Sequence, residues 1–144
     1  MILRDLKKED ISRLVELEKI CFSDPWTEND FESSFSLPFF EGVAIEEDGA
    51  VVAYALALVV FEDGDIANVA VAPEYRKRGY GKLMMTALEE KALARGAERL
   101  FLEVRETNVS AIGLYTGRGF TPISVRKGYY HDGENAIVMQ KNLN

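Results

Sequence analysis

Four basic side chains and two glycines stand together in the segment Arg76–Lys82, which reads Arg-Lys-Arg-Gly-Tyr-Gly-Lys. We expect a strand to end just before this segment and a helix to begin within it. Backbone N–H groups at a helix N-terminus have no intrahelical partner and carry partial positive charge, so they attract anions, and glycine permits the backbone angles that such a loop needs. The pattern indicates a diphosphate site, although a solvated Gly-x-Gly turn has the same sequence.

The spacing of the glycines excludes two common nucleotide-binding loops. A Walker loop needs Gly-x-x-x-x-Gly-Lys followed by Ser or Thr, and the sequence contains no such run. A dinucleotide fingerprint needs a third glycine at position 84, where this chain has Met84. Residue identity therefore rules out both loops.

Glu103 is a candidate general base, because it interrupts the apolar strand Leu100–Val104. A strand of this composition should lie inside a sheet and be covered by helices, where a poorly solvated carboxylate takes up a proton more readily. The alternative is that Glu103 faces water or pairs with an arginine such as Arg105.

Tyr115 is a candidate proton donor, since a phenol can donate a proton or a hydrogen bond to a leaving group. It also follows Ala111 by four residues and Ile112 by three, a spacing that suits packing within a helix. From the residues alone, both interpretations stay open.

Hydrophobic periodicity predicts the elements of the first half of the chain. We expect a strand over Met1–Arg4, then an amphipathic helix with an apolar face that includes Ile11, Leu14, Val15 and Ile20. A second helix should start at Thr27, because a capping hydroxyl there precedes acidic first-turn residues. The strands Phe39–Glu46 and Val51–Phe61 should form a hairpin across Asp48-Gly49.

The second half is predicted to contain a βαβ unit, in which a strand over Ile66–Val71, a helix from about Gly79 to Arg95 and a strand over Arg99–Val104 follow one another. The helix should bury Tyr80, Leu83, Met84, Ala87, Leu88 and Ala92 and stop at Gly96. A short helix over Ser110–Gly117 and strands over Thr121–Lys127 and Asn135–Lys141 should complete the chain. The predicted class is α/β (α+β), with a mixed, mostly antiparallel sheet, a central parallel βαβ unit and helices on both faces.

Composition narrows the class of protein. A chain of 144 residues fits a single domain over 1–144, and its longest apolar run, Val51–Phe61, is too short to span a membrane. No signal peptide is expected, and the single cysteine, Cys21, suits a reducing, cytoplasmic compartment and the role of a buried small hydrophobe. The net charge of −7 disfavours nucleic acid and favours a basic partner. With His131 as the one histidine, no metal site is expected.

Two motifs resemble one known superfamily. The segment from Arg76 to Gly81 matches the signature Arg/Gln-x-x-Gly-x-Gly/Ala of the GCN5-related N-acetyltransferases (GNAT), and Asn108 to Phe120 is similar to their Asn-x-x-Ala-x-x-Leu-Tyr-x-x-x-Gly-Phe segment. Within that superfamily, the runs 102–105, 25–26 and 128–130 resemble the RimI-type ribosomal-protein-alanine N-acetyltransferases of bacteria. Tyr80 departs from the usual leucine and Asn135 from a common acidic residue.

The resemblance implies a site for acetyl-CoA and a role for each candidate residue. Backbone amides of the loop would hold the pyrophosphate of coenzyme A, a splayed strand would pair with the pantetheine and position the acetyl carbonyl, and Asn108 would orient the cofactor or merely cap a helix. These cofactor-binding residues are Val69, Ala70, Val71, Lys77, Arg78, Gly79, Tyr80, Gly81, Lys82 and Asn108. Glu103 would be the base and Tyr115 the acid, and a peptide groove would include Trp26, Tyr129 and Tyr130.

The implied reaction is transfer of an acetyl group from acetyl-CoA to the N-terminal amine of a protein, with the N-terminal Ala of a basic small-subunit ribosomal protein as the expected substrate. Two alternatives stay open. One is a small-molecule acetyltransferase that acts on a polyamine or an aminoglycoside, and the other is a non-catalytic acyl-CoA-binding module.

Overall fold

The computed structural model describes residues 1–143. Within this range, seven strands form one sheet. In chain order, strands β1 to β7 cover Ile2–Asp5, Phe40–Glu47, Ala50–Val60, Asp63–Val71, Arg99–Arg105, Thr121–Arg126 and Ala136–Asn142. Within the same range, α-helices α1 to α4 cover Ile11–Cys21, Glu28–Phe35, Tyr80–Ala94 and Val109–Gly117. Across the sheet the strand order is β1-β2-β3-β4-β5-β7-β6.

Local sequence signals set the boundaries of the first half. Thr27 caps α2 through a reciprocal pair of hydrogen bonds, in which its hydroxyl accepts from the Asp30 N–H at 3.2 Å and the Asp30 carboxylate accepts from the Thr27 N–H at 2.9 Å. The β2–β3 turn has positive φ at both Asp48 and Gly49, 51° and 81°, as a tight hairpin requires. The predicted helix start and hairpin are therefore correct.

The predicted βαβ unit is also correct, since β4 and β5 are parallel and α3 connects them. Among residues 1–143, every other pair of neighbouring strands is antiparallel. Strand β4 begins at Asp63, before the predicted Ile66, because the turn after β3 is short and uses positive φ at Phe61. Gly96, with φ of 93°, follows the end of α3 as expected. The mixed, mostly antiparallel α/β sheet is confirmed.

Both faces of the sheet are covered at its centre, where β3 is buried from Val51 to Ala57. Helices α1 and α2 lie on the face that carries Tyr54, and α3 packs across β2, β3 and β4. Two predicted core positions are wrong: Ile20 is 58% exposed and Leu83 is 40% exposed. At 3.6 residues per turn, each lies well away from the centre of its helix's buried face.

No α-helix among residues 1–143 is both long and apolar enough to cross a membrane.

Candidate active site

A gap opens in the middle of the sheet where β4 separates from β5. The two strands pair from Asp63 with Arg99 as far as Ile66 with Leu102, and no pair between them follows in the described part of the chain. Strand β4 carries a β-bulge at this point, because Ile66 lies opposite Ala57 and Asn68 opposite Leu56, which leaves Ala67 as an extra residue. A bulge bends its strand, so the bulge accounts for the separation.

The backbone of β4 beyond the bulge presents N–H groups to this gap. The Ala72 N–H donates to the Val52 carbonyl of β3 at 2.8 Å. Because successive residues of an antiparallel pair alternate in direction, Ala70 also bonds to β3, whereas Val69 and Val71 direct their N–H groups the other way. The predicted cofactor strand therefore lines the gap with backbone donors.

The predicted anion loop lies at the N-terminus of α3. The first α-helical hydrogen bond runs from the Leu83 N–H to the Gly79 carbonyl at 3.1 Å. Within residues 1–143, none of the N–H groups from Lys77 to Lys82 has a hydrogen-bond acceptor. Positive φ at Lys77 and Gly79, 65° and 81°, turns the chain so that these donors lie on one loop.

The basic side chains of the loop are not neutralised by the acidic remainder of the chain. In the part of the chain that the structure describes, Arg76, Lys77, Arg78 and Lys82 form no salt bridge. Arg76 Nε instead donates to the Val71 carbonyl at 3.0 Å, which ties the loop to β4. The loop therefore offers positive charge as well as open amides.

Tyr80 turns its side chain away from the loop. The phenol donates a hydrogen bond to Glu47 and the ring stacks on Tyr75 with centroids 6.4 Å apart. The side chain is 7% exposed, so the loop presents only the backbone of this residue. The departure from leucine at this position is accommodated by packing.

The second glycine of the loop serves helix packing. A Cβ at Gly81 would lie 2.9 Å from Leu114 Cδ2, closer than such atoms normally approach. Gly81 thus lets α4 pack against the first turn of α3, and the next residue on α4 is Tyr115. The sequence predicts that the glycines let the backbone approach a phosphate. The contact with Leu114 is a second reason for glycine at position 81.

Tyr115 is part of the core and lies near Tyr130. Its ring packs edge-on against Phe120, with centroids 6.0 Å apart, and the residue is 8% exposed. Burial, with a smaller contribution from Tyr130, raises the pKa of Tyr115 to about 12. Its hydroxyl has no hydrogen-bond partner among residues 1–143. The hydroxyl oxygen is not completely enclosed by protein atoms either. The hydroxyl is therefore available to a ligand.

Glu103 lies on the less covered face of β5. Leu100, Leu102 and Val104 are buried on the opposite face, so the expectation of a strand covered on both sides is wrong. The Glu103 side chain is 23% exposed, and its Oε2 lies 3.6 Å from Arg126 Nε, so its arginine partner is Arg126 and not Arg105. The alternation of a half-covered strand explains the difference.

Glu103 has two ionisable neighbours on this face. Its carboxylate raises the pKa of the Tyr129 phenol. Partial burial of its carboxylate, and then the charge of Glu103, raise the pKa of Asp65, although the residue as a whole is exposed to solvent. The structure therefore brings the predicted base next to Tyr129 of the predicted groove, with Asp65 as a carboxylate that the sequence did not single out.

Arg105 holds the loop between β6 and β7. Its Nη1 lies 2.9 Å from Asp132 Oδ2 and 2.8 Å from Glu134 Oε1, and its guanidinium covers the Tyr130 ring at 4.0 Å. Hydrogen bonds from Thr107 and then from Arg105 lower the pKa of Glu134. This loop carries Tyr129 and Tyr130, whose rings meet edge-on at 5.1 Å. The predicted groove tyrosines are thus fixed beside β5.

The remaining predicted residues have structural partners. The ring of Trp26 is half-buried on Phe31, with centroids 5.2 Å apart. Asn108 Oδ1 accepts from the Ala111 N–H at 3.2 Å and so caps α4. Cys21 is only half-buried, because it ends α1 beside β4, and its thiol lies 3.5 Å from the Val71 carbonyl. His131 is exposed, 3.4 Å from Asp24.

Comparison with known proteins gives a consistent family. A sequence model described as Acetyltransferase (GNAT) family matches residues 11–120. A Bacillus subtilis protein with the provisional name ribosomal protein bS18-alanine N-acetyltransferase is 36% identical over 99% of this chain and 95% of its own length. The Escherichia coli protein named ribosomal protein bS18-alanine N-acetyltransferase is 31% identical over 95% of this chain and 94% of its own.

Solved structures agree with the sequence comparison. The crystal structure of the Escherichia coli ribosomal-protein-S18-alanine N-acetyltransferase has a TM-score of 0.91 at 30% identity, and covers 99% of this chain and 94% of its own. Naa20 of Chaetomium thermophilum, solved with a bisubstrate analogue, has a TM-score of 0.87 at 25% identity, over 99% of this chain and 86% of its own. The gap, the open amides and the basic loop lie in a fold shared with these proteins.

Replacement of glycine by alanine, in the loop and in α4, tests the backbone geometry of the loop through its effect on stability. At Gly79 a Cβ meets nothing within 4 Å, but φ of 81° is unfavourable for alanine, so we expect Gly79→Ala to lower the free energy of unfolding by about 1 kcal/mol. Gly113, in the middle of α4, is also free of contacts and has no positive φ, so Gly113→Ala should raise it by up to about 1 kcal/mol. Urea denaturation measures both, and a Gly79→Ala variant at least as stable as wild type would contradict this loop conformation.

Proposed function

We propose that this chain, which belongs to the acetyltransferase (GNAT) family and is an acetyl-CoA-dependent N-acetyltransferase, acetylates the N-terminal α-amine of a protein. The substrate proposed is the N-terminal alanine of ribosomal protein bS18, on which the relatives named above act. The observation that carries the proposal is the gap between β4 and β5, with open amides at one end and Glu103 at the other.

The cofactor fits the gap in one direction. Its diphosphate binds the free N–H groups from Lys77 to Lys82, where the helix N-terminus and the unpaired basic side chains both favour negative charge. Its pantetheine arm runs along Val69–Val71 in the position that a neighbouring strand would occupy. The acetyl carbonyl then lies near the Val69 and Val71 N–H groups, which can stabilise the oxyanion of the tetrahedral intermediate.

The reaction needs a proton acceptor for the attacking amine. An N-terminal amine has an ordinary pKa of about 7.7–8.0, so a carboxylate is a sufficient base near neutral pH. Glu103 accepts the proton as the new N–C bond forms and the C–S bond breaks. This role is supported by its position on the open face of β5, beside Tyr129.

Tyr115 serves the departing thiolate. A thiol has a pKa of about 8.5, so full proton transfer from a phenol is uphill, and burial raises the pKa of Tyr115 to about 12. A hydrogen bond from the Tyr115 hydroxyl to the thiolate sulfur is the contribution that this pKa supports. The proton that neutralises coenzyme A can then come from solvent.

The acceptor side favours a basic peptide. Asp65 and Glu103 lie beside Tyr129 of the proposed groove, in a chain with a net charge of −7. These groups attract the ammonium form of a protein N-terminus and basic side chains that follow it. A ribosomal protein is such a substrate, and its modification is a cytoplasmic reaction.

Removal of the proposed base should slow chemistry without weakening cofactor binding. Glu103→Gln keeps the shape of the side chain but cannot accept the amine proton, so kcat should fall by about 100-fold while the Kd of acetyl-CoA stays within about twofold. The matched control is Glu98→Gln, at an exposed position just before β5, which should retain full activity. Steady-state rates of thiol release measure both, and an active Glu103→Gln enzyme would remove Glu103 from the mechanism.

Competition between acceptors tests the substrate class. We expect a peptide that begins with the bS18 sequence and a free alanine to be acetylated with kcat/KM at least about tenfold above that of spermidine or an aminoglycoside. The same peptide with a blocked N-terminus controls for lysine acetylation and should not react. Mass spectrometry identifies the products, and a preference for the small amines would contradict protein N-terminal acetylation.

A further inference from the structure

Glu18 is a carboxylate that the proposed reaction does not use, and it is buried between α1 and the sheet. Glu18, on α1, is 1% exposed and lies among the apolar residues that α1 packs on the sheet. A buried carboxylate is costly unless hydrogen bonds replace its hydration. Glu18 was not predicted as a site residue. Its sequence signal is an acidic residue one helical turn after Leu14, on a helix face that is otherwise apolar.

Three donors surround the Glu18 carboxylate. The Trp26 N–H donates to Oε1 at 2.8 Å, and the Tyr54 hydroxyl and the Asn68 amide both donate to Oε2, the amide at 2.7 Å. Burial raises the pKa of Glu18, against these donors, and also raises that of Tyr54. Glu18 therefore connects the loop between α1 and α2, where Trp26 lies, to the middle of β3 and β4.

The chain of hydrogen bonds continues to the gap. Asn68 Oδ1 accepts from the Val69 N–H at 3.1 Å, and Val69 is the residue after the bulge whose N–H points away from β3. Since a backbone N–H can only donate and a carboxylate can only accept, the orientation of the Asn68 amide between them is determined. Four groups thus form one continuous path from Trp26 through Glu18 and Asn68 to Val69.

We propose that Glu18 and Asn68 are positioning residues for acetyl transfer, which hold the α1–α2 loop at Trp26 and the Val69 N–H of β4 in one arrangement. The proposal rests on the function proposed above. In the free enzyme Asn68 Oδ1 keeps the Val69 N–H satisfied and aimed at the edge of the gap. The acetyl carbonyl takes the place of this oxygen when acetyl-CoA binds, while Glu18 holds the other end of the Asn68 amide.

An exchange of amide and carboxylate between the two positions tests this path. Glu18→Gln leaves one oxygen to accept from the Trp26 N–H, the Tyr54 hydroxyl and the Asn68 amide. With that oxygen kept on the Trp26 N–H, an amide meets the Asn68 amide, donor faces donor, and the Asn68 oxygen turns away from Val69. We expect kcat to fall about tenfold or more with the Kd of coenzyme A unchanged, as for a buried hydrogen bond lost in the transition state. Glu18→Gln combined with Asn68→Asp gives the new amide and the Val69 N–H a carboxylate to donate to, and the Tyr54 hydroxyl, 3.3 Å from the Asn68 nitrogen, can donate to the same carboxylate. The double variant should therefore return kcat to within about threefold of wild type.

Two further measurements separate positioning from stability. Glu89→Gln is the matched control, because Glu89 is a second buried glutamate, 7% exposed, paired with Arg118 and Lys141 away from the proposed site. It should lower the melting temperature but not kcat. Asn68→Ala, at a half-buried position, leaves Glu18 its Trp26 and Tyr54 donors and should also lower kcat without loss of folding.

The amide resonance of Val69 reports on the path without any turnover. In ¹H–¹⁵N spectra we expect it to shift in Glu18→Gln, to return in the double variant, and to shift in wild type when acetyl-CoA is added. If the wild-type enzyme acetylates no acceptor, the proposed function fails, and the spectra still decide this inference. An unmoved Val69 resonance in Glu18→Gln, or kcat losses that follow unfolding and are not rescued by the double variant, would overturn it.

Discussion

The separation of β4 from β5 after Ile66 and Leu102 is the feature on which the rest of the structure depends. If β4 and β5 were paired along their whole length, no space would remain for a cofactor, and their facing N–H groups would be hydrogen-bonded to carbonyls of the other strand. The extra residue Ala67 bends β4 away and leaves the Val69 and Val71 N–H groups without strand partners on that side. The helices that follow β4 and β5 then meet where Gly81 admits Leu114.

The charged side chains around the gap between β4 and β5 differ in sign from one end to the other. Within residues 1–143, nine of the 17 lysines and arginines form salt bridges, the four around Gly79 form none, and the amides there are free. On the acceptor side, Glu103 and Asp65 supply negative charge beside the tyrosines that Arg105 holds. One end of the gap therefore suits an anionic cofactor, and the other suits a cationic amine.

The sequence predicted what depends on local spacing, including the βαβ order, the helix cap at Thr27 and the loop at the start of α3. It could not predict the bulge at Ala67 or the packing of Leu114 on Gly81, since these depend on contacts between distant parts of the chain. Glu18 shows the same limit, because its partners Tyr54 and Asn68 lie 36 and 50 positions away. The role of Glu103 stays a prediction, whereas the expectation that its strand is covered on both faces was wrong, because alternation on β5 leaves one face open.

The decisive measurement is a crystal structure of the protein with coenzyme A. We expect the diphosphate to accept hydrogen bonds from N–H groups between Lys77 and Lys82, and the pantetheine to lie in the gap beside Val69 and Val71. The sulfur should then lie within reach of the Tyr115 hydroxyl. A diphosphate bound elsewhere on the surface, or a β5 that closes on β4 and excludes the pantetheine, would contradict the account.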